Sequence, residues 1–295
     1  MFDRIFADYL VLNGKISTPD MEAVFEAQET SRARLGVIAV MEKLMTVEQA
    51  EEVNHLQSVY DKRFGDIAVE KHYLNAGQVE RLLCLQGNQF LSFLQTIVDL
   101  KFMTMEEINN NLTAFQTDHS FTQMNMEDLK SCSVARIIPL YLFQQPSFTQ
   151  DFCGLFMRTI IRLLDYRVYI CKPYIVDQVQ AKCLSMQQLI GDHSVLCSLH
   201  SEPEQMISVA KLFAGDKYIN TSEDALDALC ELINCVNGMF ATDLATENID
   251  LDMDIPHYYS EELTLASESI LCLPIKFPNC EITVSITIDH EFEIQ

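Results

Sequence analysis

The sequence is short of basic residues and of long apolar runs, and each shortage disfavours a class of function. It has 20 lysines and arginines against 43 aspartates and glutamates, for a formal net charge of -23. This balance disfavours sequence-independent nucleic-acid binding and attachment to anionic lipid, because both depend on a basic surplus. No run approaches the ~18 apolar residues that would span a bilayer, so membrane insertion is not expected.

Signals for export and for disulfide bonding are missing as well. The first residues include Asp3 and Asp8 and contain no sustained apolar stretch or small-residue cleavage site, which disfavours a secretory signal. The 10 cysteines are scattered and form no Cys-x-x-Cys motif. Reduced thiols in a cytoplasmic protein are therefore expected. With 48% apolar residues the chain can bury a sizeable core, which argues against disorder.

Residues 1–125 contain about four repeats of ~29 residues, which indicate an all-α domain of helical hairpins. Each unit has an apolar segment, a turn, a helix N-cap such as Thr46 or Asn75, and a second amphipathic segment that ends in glutamine. The glutamines that close the units are Gln28, Gln57, Gln86 and Gln116.

The two central units resemble the tandem motif of the MshEN domain, the N-terminal domain of type II secretion and pilus ATPases. The motif opens with Arg, usually Leu, and Gly and ends in Gln, twice, across a five-residue spacer. Here the two copies open with Arg34-Leu35-Gly36 and Arg63-Phe64-Gly65, and the spacer is 58–62. Some members bind cyclic di-GMP, so the resemblance implies a ligand site at both motif starts. The residues that would form it are Arg34, Gly36, Arg63 and Gly65.

A packing role is the alternative for the same residues, and the sequence favours it. Lys43 and His72 stand in the inter-helix turns where that family has glycine, which removes a close backbone approach to a ligand. Arg34 and Arg63 are then solvated residues at helix starts, in a module that binds a protein or no ligand. As a pair they retain the chemistry to bind phosphate groups bidentately.

A second domain is predicted over 140–295, of the α+β or α/β class, with a β-sheet packed by two or three helices. Its longest helix begins at Thr221 or Ser222 and ends near Ala245. Asp250 to Ile255 alternate acidic and apolar residues, which predicts a half-buried strand with an acidic face. The other predicted elements are helices at 148–164 and 202–214 and strands at 167–175, 182–200, 267–277 and 280–289, with a hairpin turn at Gly191 and Asp192.

The long helix has two distinct faces when its residues are placed at ~100° intervals. One face is an apolar stripe that should be buried and spans about 80°. The opposite face carries two acids, an amide and a glycine, which should point to solvent. The apolar stripe is Leu226, Leu229, Ile233, Val236 and Phe240. The outward residues are Asp227, Glu231, Asn234 and Gly238.

The outward residues resemble the signature of the CheC/CheX/FliY chemotaxis phosphatases, which is Asp or Ser, three residues, Glu, two residues, Asn, and a proline about 22 residues later. Here Pro256 follows Asn234 with 21 residues between them. The sequence at 186–215 is similar to the strand, turn, strand and helix that precede this signature in CheX-like members. Those members carry one motif copy per subunit, as this chain does, and commonly dimerise, so a homodimer is possible.

The resemblance implies a hydrolase of two-component signalling that removes the aspartyl phosphate of a CheY-like response-regulator receiver domain. Asn234 would orient the attacking water and Glu231 would pair with the receiver's active-site lysine. Asp227 and Gly238 would lie in the docking interface. The divalent metal, Mg²⁺, would belong to the receiver, so this chain itself needs no metal or cofactor. The alternative is a non-catalytic signalling scaffold or a cyclic di-GMP-responsive binding protein.

Overall fold

The computed structural model describes residues 1–28, 33–60 and 62–295, apart from the side chain of Ser58. These residues form two compact units, Phe2–Cys132 and Ser133–Gln295. The break between them lies in the interval that the predicted domains, 1–125 and 140–295, leave open. One residue of the predicted MshEN spacer, Asp61, lies outside the described residues.

The first unit is built from helices alone, as the repeats predict. Four hairpins follow one another along the chain, and a short ninth helix closes the unit. The helices are α1 (Phe2–Leu12), α2 (Thr18–Gln28), α3 (Leu35–Met41), α4 (Val47–Tyr60), α5 (Phe64–Glu70), α6 (Ala76–Cys84), α7 (Gln89–Asp99), α8 (Met105–Asp118) and α9 (Gln123–Lys130).

The turn inside each hairpin contains one residue with left-handed backbone conformation, and these residues recur every 29 positions. The residues and their φ angles are Gly14 at 63°, Lys43 at 57°, His72 at 58° and Lys101 at 61°. In the third hairpin the amide of His72 donates to the carbonyl of Val69, and that of Tyr73 donates to Ala68. This pair of hydrogen bonds is typical of a helix that ends in a residue with left-handed backbone conformation. Glycine adopts that conformation at the least cost in free energy. Lysine and histidine therefore adopt a strained backbone here to complete the turn.

The glutamine that closes each repeat has a structural explanation, because each one donates its side-chain Nε2 to a main-chain carbonyl near the start of a neighbouring hairpin or helix. Such a bond gives a main-chain carbonyl a side-chain partner. Two of these bonds are local, one joins the third hairpin to the second, and one joins the first hairpin to the fourth. The bonds run from Gln28 to Gln89 (3.0 Å), from Gln57 to Lys62 (3.5 Å), from Gln86 to Ala33 (3.1 Å) and from Gln116 to Phe121 (3.1 Å).

An aromatic cluster joins the first hairpin to the fourth. Phe2 and Phe6 of α1 are fully buried against Phe90 of α7 and Phe115 of α8. The ring centroids of Phe2 and Phe90 are 4.5 Å apart, and Phe6 meets Phe115 edge to face at 5.9 Å. Aromatic pairs at these separations add stabilisation beyond the area that they bury. The two ends of the repeat array are therefore packed on each other.

The segment after the fourth hairpin is helical, although its repeat pattern fades and no helix is predicted there. Helix α9 begins with a reciprocal capping box between Thr122 and Asn125. That pair was the available signal, and the polar composition around it obscured the apolar period.

The second unit combines four helices with an antiparallel sheet, so the fold is α+β. The sheet has the strand order β1-β7-β8-β4-β3-β5, while β2 and β9 also pair with β7, and β6 pairs with β3. The helices are α10 (Val134–Tyr141), α11 (Ser147–Leu163), α12 (Pro203–Ala214) and α13 (Ser222–Ala245). The strands are β1 (Tyr169–Ile170), β2 (Tyr174–Ala181), β3 (Leu184–Gly191), β4 (Val195–His200), β5 (Leu251–Met253), β6 (His257–Tyr259), β7 (Leu263–Lys276), β8 (Glu281–Ile288) and β9 (Phe292–Ile294).

The predicted helices and the hairpin at Gly191 are confirmed, whereas two strand predictions need correction. The stretch predicted at 167–175 contains only the short β1 and the first residues of β2. The strand predicted from Asp250 to Ile255 is short, and its face is not half-buried as expected, because Met253 is 48% and Ile255 is 71% exposed. It is an edge strand that pairs with β3 alone.

No disulfide bond joins the cysteines in the described part of the chain. None of the helices in that part is both long and apolar enough to cross a bilayer.

The sheet contains a half-buried histidine at the end of β4 that is neutral at pH 7. His200 of β4 places its Nε2 2.8 Å from the hydroxyl of Ser285 on the adjacent strand β8. Burial lowers the pKa of His200 to about 4, because the surroundings penalise the charged imidazolium.

We expect His200 to make the second unit less stable in mild acid. The unfolded chain takes up a proton near pH 6.5, whereas the folded protein does so only near pH 4, so stability is lost as the pH falls between these values. Each pH unit in that window costs up to about 1.4 kcal/mol. Urea denaturation of the wild type and of His200→Gln between pH 7 and pH 4 measures this, and an equal pH dependence in both would contradict it.

The strained turns give a second prediction, for the first unit. His72→Gly should raise the free energy of unfolding by about 0.5–1 kcal/mol, because glycine adopts the left-handed conformation without strain. The matched control is Gly14→Ala, which should lower it by about 1 kcal/mol through the backbone alone, since a Cβ there meets nothing within 4 Å. Urea midpoints compare the two, and a shift in the same direction for both would refute the explanation.

Candidate functional site

The candidate site lies on α13, whose start and buried face follow directly from its sequence. Thr221 and Asp224 form a reciprocal capping box at the first turn. The predicted apolar stripe is confirmed, since all five of its residues are buried: Leu226, Leu229, Ile233, Val236 and Phe240. This stripe fixes the rotation of the helix against the unit, and so determines which side chains point away from it.

The opposite face presents two carboxylates and an amide. Asp227 and Glu231 are exposed, while Asn234 and Gly238 are half-buried. Within the described residues, the side chains of Asp227 and Glu231 make no hydrogen bond and no ion pair. Glu231 and Asn234 are three residues apart, so their side chains are neighbours on one face. The structure thus brings the two predicted catalytic residues together on a surface that a partner can reach.

Asn234 is held by a buried glutamine from the sheet. The Nε2 of Gln187, in β3, donates to the Oδ1 of Asn234 at 2.8 Å and to the main-chain carbonyl of Asp254 at 2.8 Å. The Oε1 of Gln187 accepts from the Nδ2 of Asn237 at 3.0 Å. Gln187 is 1% and Asn237 is 0% exposed. Three amides and one peptide carbonyl therefore form a single hydrogen-bonded network under the outward face of α13.

Neither Gln187 nor Asn237 is predicted as a site residue from the sequence pattern. Alternation in β3 places Ser185, Gln187 and Leu189 on one side of the strand, and Ser185 also bonds α13 through the carbonyl of Leu226 at 2.8 Å. Polar residues at two successive positions of the strand face that also carries Leu189 were the available signal. A buried polar side chain needs partners, and here α13 supplies them.

The loop before Pro256 is bound to the same strand. Asp254 donates its amide to the carbonyl of Gln188 at 2.9 Å, and its own carbonyl accepts from Gln187. Both main-chain groups of Asp254 are thereby satisfied by β3, which keeps this loop beside Asn234. Pro256, the proline of the motif, consequently lies in the loop beside the Asn234 carboxamide.

The other candidate ligand residues lie in the first unit. Arg34 precedes α3, and its guanidinium is 3.3 Å from the carboxylate of Asp99, while its amide donates to Gln95 at 3.1 Å. Arg34 and Gly36 line a cavity of about 460 Å³, whose wall also contains apolar residues and the charged residues Glu51, Asp99, Lys101 and Glu107. This cavity would offer a ligand one arginine that is already paired with an acid.

Arg63 and Gly65 are not among the described residues that line that cavity. The two motif glycines lie at close helix contacts instead. A Cβ on Gly65 would come within 2.7 Å of Val79, and one on Gly36 would come within 3.0 Å of the Phe64 ring. Packing therefore explains both glycines, and the cyclic di-GMP site remains a prediction.

Among the residues that the structure describes, no group of three or more histidines, cysteines, aspartates or glutamates is placed to hold a metal ion.

Comparison with known proteins finds a family match within the second unit. Residues 183–276 match the profile of a family described as chemotaxis phosphatase CheX. A search among curated proteins finds no significant match.

Solved structures of CheX and FliY proteins are similar to about half of this chain. A chemotaxis protein CheX from Desulfovibrio desulfuricans has 17% identity and a TM-score of 0.42, covering 48% of this chain and 99% of its own. A CheX–CheY–BeF3–Mg²⁺ complex from Borrelia burgdorferi has 18% identity and a TM-score of 0.38, with coverages of 48% and 97%. FliY from Thermotoga maritima has 13% identity and a TM-score of 0.33, with coverages of 50% and 89%. The segment that matches the CheX profile, residues 183–276, includes Gln187, the α13 motif and Pro256.

Proposed function

We propose that this protein hydrolyses the aspartyl phosphate of a CheY-like receiver domain. The observation that carries the proposal is the outward pairing of Glu231 with Asn234 on a helix whose other face is buried. The match of residues 183–276 to the CheX phosphatase family supports it. The complex of CheX with CheY, BeF3 and Mg²⁺ from Borrelia burgdorferi supplies a partner of the expected kind for a similar protein.

The reaction asks little covalent chemistry of the phosphatase. An acyl phosphate is a mixed anhydride, and phosphoryl transfer depends mainly on positioning and on stabilisation of charge. A carboxamide has two N–H donors and an oxygen with two lone pairs. One lone pair of the Asn234 oxygen accepts from Gln187. The second lone pair and the amino group remain for a water held in line with phosphorus.

Glu231 would hold the register of docking. Its carboxylate is exposed and makes no ion pair within the described residues, so it is available for the active-site lysine of the receiver. An ion pair at the centre of an interface fixes orientation more than it adds affinity. Asp227, one turn earlier, would form an acidic rim. The divalent ion of the reaction is assigned to the receiver domain.

A non-catalytic signalling scaffold is the second candidate, and one observation favours it. Asn234 is only half-exposed and its oxygen is already engaged by Gln187. In a scaffold, this amide would serve the packing of α13 on the sheet, and the receiver would dock without loss of phosphate. Homodimer formation remains a prediction under both candidates.

Asn234→Ala should reduce phosphate release from a receiver phosphorylated with acetyl phosphate by at least ~100-fold, since the water loses its orienting group. Glu231→Ala should lower the rate and also weaken docking. The measurement is the rate at which the phosphorylated receiver disappears. Each receiver domain encoded in the genome of the same organism is tested, and circular dichroism verifies that the variants fold.

The matched control is Asn110→Ala, the same change at an exposed position of α8 in the first unit. Phosphate release by Asn234→Ala at the wild-type rate would reject the catalytic assignment. Stable binding of phosphoreceiver to the wild type, with no hydrolysis, would identify the scaffold.

Gly238→Ala separates docking from folding. A Cβ there would meet only Met253, at 3.5 Å, so the isolated domain accommodates it. The helix should gain about 0.5–1 kcal/mol in unfolding free energy, because alanine has the higher helix propensity. If the receiver approaches closely at this position, KM should rise severalfold while kcat stays within about twofold, as steady-state kinetics would measure. A stabilised variant with unchanged KM would remove Gly238 from the interface.

A further inference from the structure

We propose that Gln187 is a positioning residue, which holds the Asn234 carboxamide with its amino group turned toward the docked receiver. The inference rests on the proposed phosphatase function and adds to it a residue outside the α13 motif. Gln187 lies beneath the site in β3 and is almost completely buried. It therefore acts through Asn234 and does not touch the substrate.

The orientation of the side-chain amides follows from the main-chain carbonyl of Asp254, which can accept a hydrogen bond but cannot donate one. The main-chain carbonyl of Asp254 can only accept, so the side-chain nitrogen of Gln187 must face it. That nitrogen is also 2.8 Å from Asn234, which must therefore present its oxygen. The amino group of Asn234 is left pointing away from the network.

The opposite end of the network agrees with this assignment. The oxygen of Gln187 accepts from the Nδ2 of Asn237 at 3.0 Å. Reversing Gln187 would place two nitrogens against each other at Asn237, and an oxygen against the carbonyl of Asp254. The peptide carbonyl of Asp254 thus fixes the direction of all three side chains.

The buried network also restricts the motion of Asn234. A half-exposed asparagine that lacks such a bond samples several χ angles, and ordering it on docking costs free energy. Gln187 is immobilised by burial and by three hydrogen bonds, so its own position is defined. A catalytic group that is held in place before the partner arrives lowers the barrier, whereas loss of its support leaves it present but misplaced.

A purely structural role for Gln187 makes a different prediction. Gln187 also binds Asp254, so its loss could loosen the loop at 254–256 and lower stability. That effect would reduce the folded fraction or the affinity for the receiver. Loss of positioning lowers kcat while docking is retained.

The test compares Gln187→Glu and Gln187→Met with the same changes at Gln188. Gln188 is the next residue of β3, on the other side of the strand, and its Nε2 donates to Ser194 at 2.9 Å. In Gln187→Glu, the introduced carboxylate only accepts when it is ionised at neutral pH, so Asn234 would turn its amino group inward and the carbonyl of Asp254 would lose its donor. Both Gln187 variants should lower kcat by about 10- to 100-fold, while the Gln188 variants stay within about twofold of the wild type.

Two further readouts separate positioning from structure. The Kd for a beryllofluoride-activated receiver with Mg²⁺, and KM, should stay within about twofold of the wild type in the Gln187 variants. In ¹⁵N NMR spectra, the side-chain amide of Asn234 should be ordered in the wild type and mobile in Gln187→Met. If Gln187→Met fails to fold, the isosteric Gln187→Glu variant decides.

The outcomes are distinguishable. If the Gln187 variants keep the wild-type kcat while Asn234→Ala is inactive, the positioning role is wrong and the phosphatase stands. If activity falls only in proportion to the folded fraction, Gln187 is structural and the inference is overturned. If the wild type hydrolyses no phosphoreceiver of the parent genome, the proposed function fails and the inference fails with it.

Discussion

The arrangement of the second unit depends on the need to satisfy a glutamine amide that is buried between a strand and a helix. A polar group in such a place costs free energy unless every donor and acceptor is paired. Gln187 meets this requirement only when β3, α13 and the loop at 254–256 are all in position. The hydrogen bonds of Gln187 thus hold β3, α13 and the loop together, and they also orient Asn234 on the surface above. One oxygen, on Asn237, remains without a partner among the described residues.

Helix α13 has one buried face that packs on the sheet and one exposed face that carries the candidate site. This separation fixes which side chains point to solvent. The apolar stripe determines how the helix lies on the sheet, and α12 and β3 pack closely around it. The acidic face contributes nothing to that packing within the described residues. Such a face is free to serve a visiting protein, because changes in Asp227 or Glu231 leave the core intact. Only Asn234 belongs to both faces.

Local signals allowed much of this fold to be predicted, and non-local ones account for what was missed. Capping residues and apolar period located α12 and α13, and they also identified the outward pair Glu231 and Asn234. The support for Asn234 could not be predicted, since Gln187 lies 47 residues from it in sequence and 67 from Asp254. The exposure of Met253 was missed for a related reason: alternation marks a strand but does not say whether a second layer covers it.

The glutamine bond between the first and the fourth hairpin has a consequence for the first unit as a whole. Gln28 reaches the start of the fourth hairpin, and Gln86 reaches back to the start of the second. In an open solenoid each repeat touches only its neighbours, and such chains can fray from one end. Here the first hairpin also bonds to and packs on the fourth, so deleting either terminal hairpin would leave the other without these contacts. Adding or removing a single repeat would likewise disturb this closure.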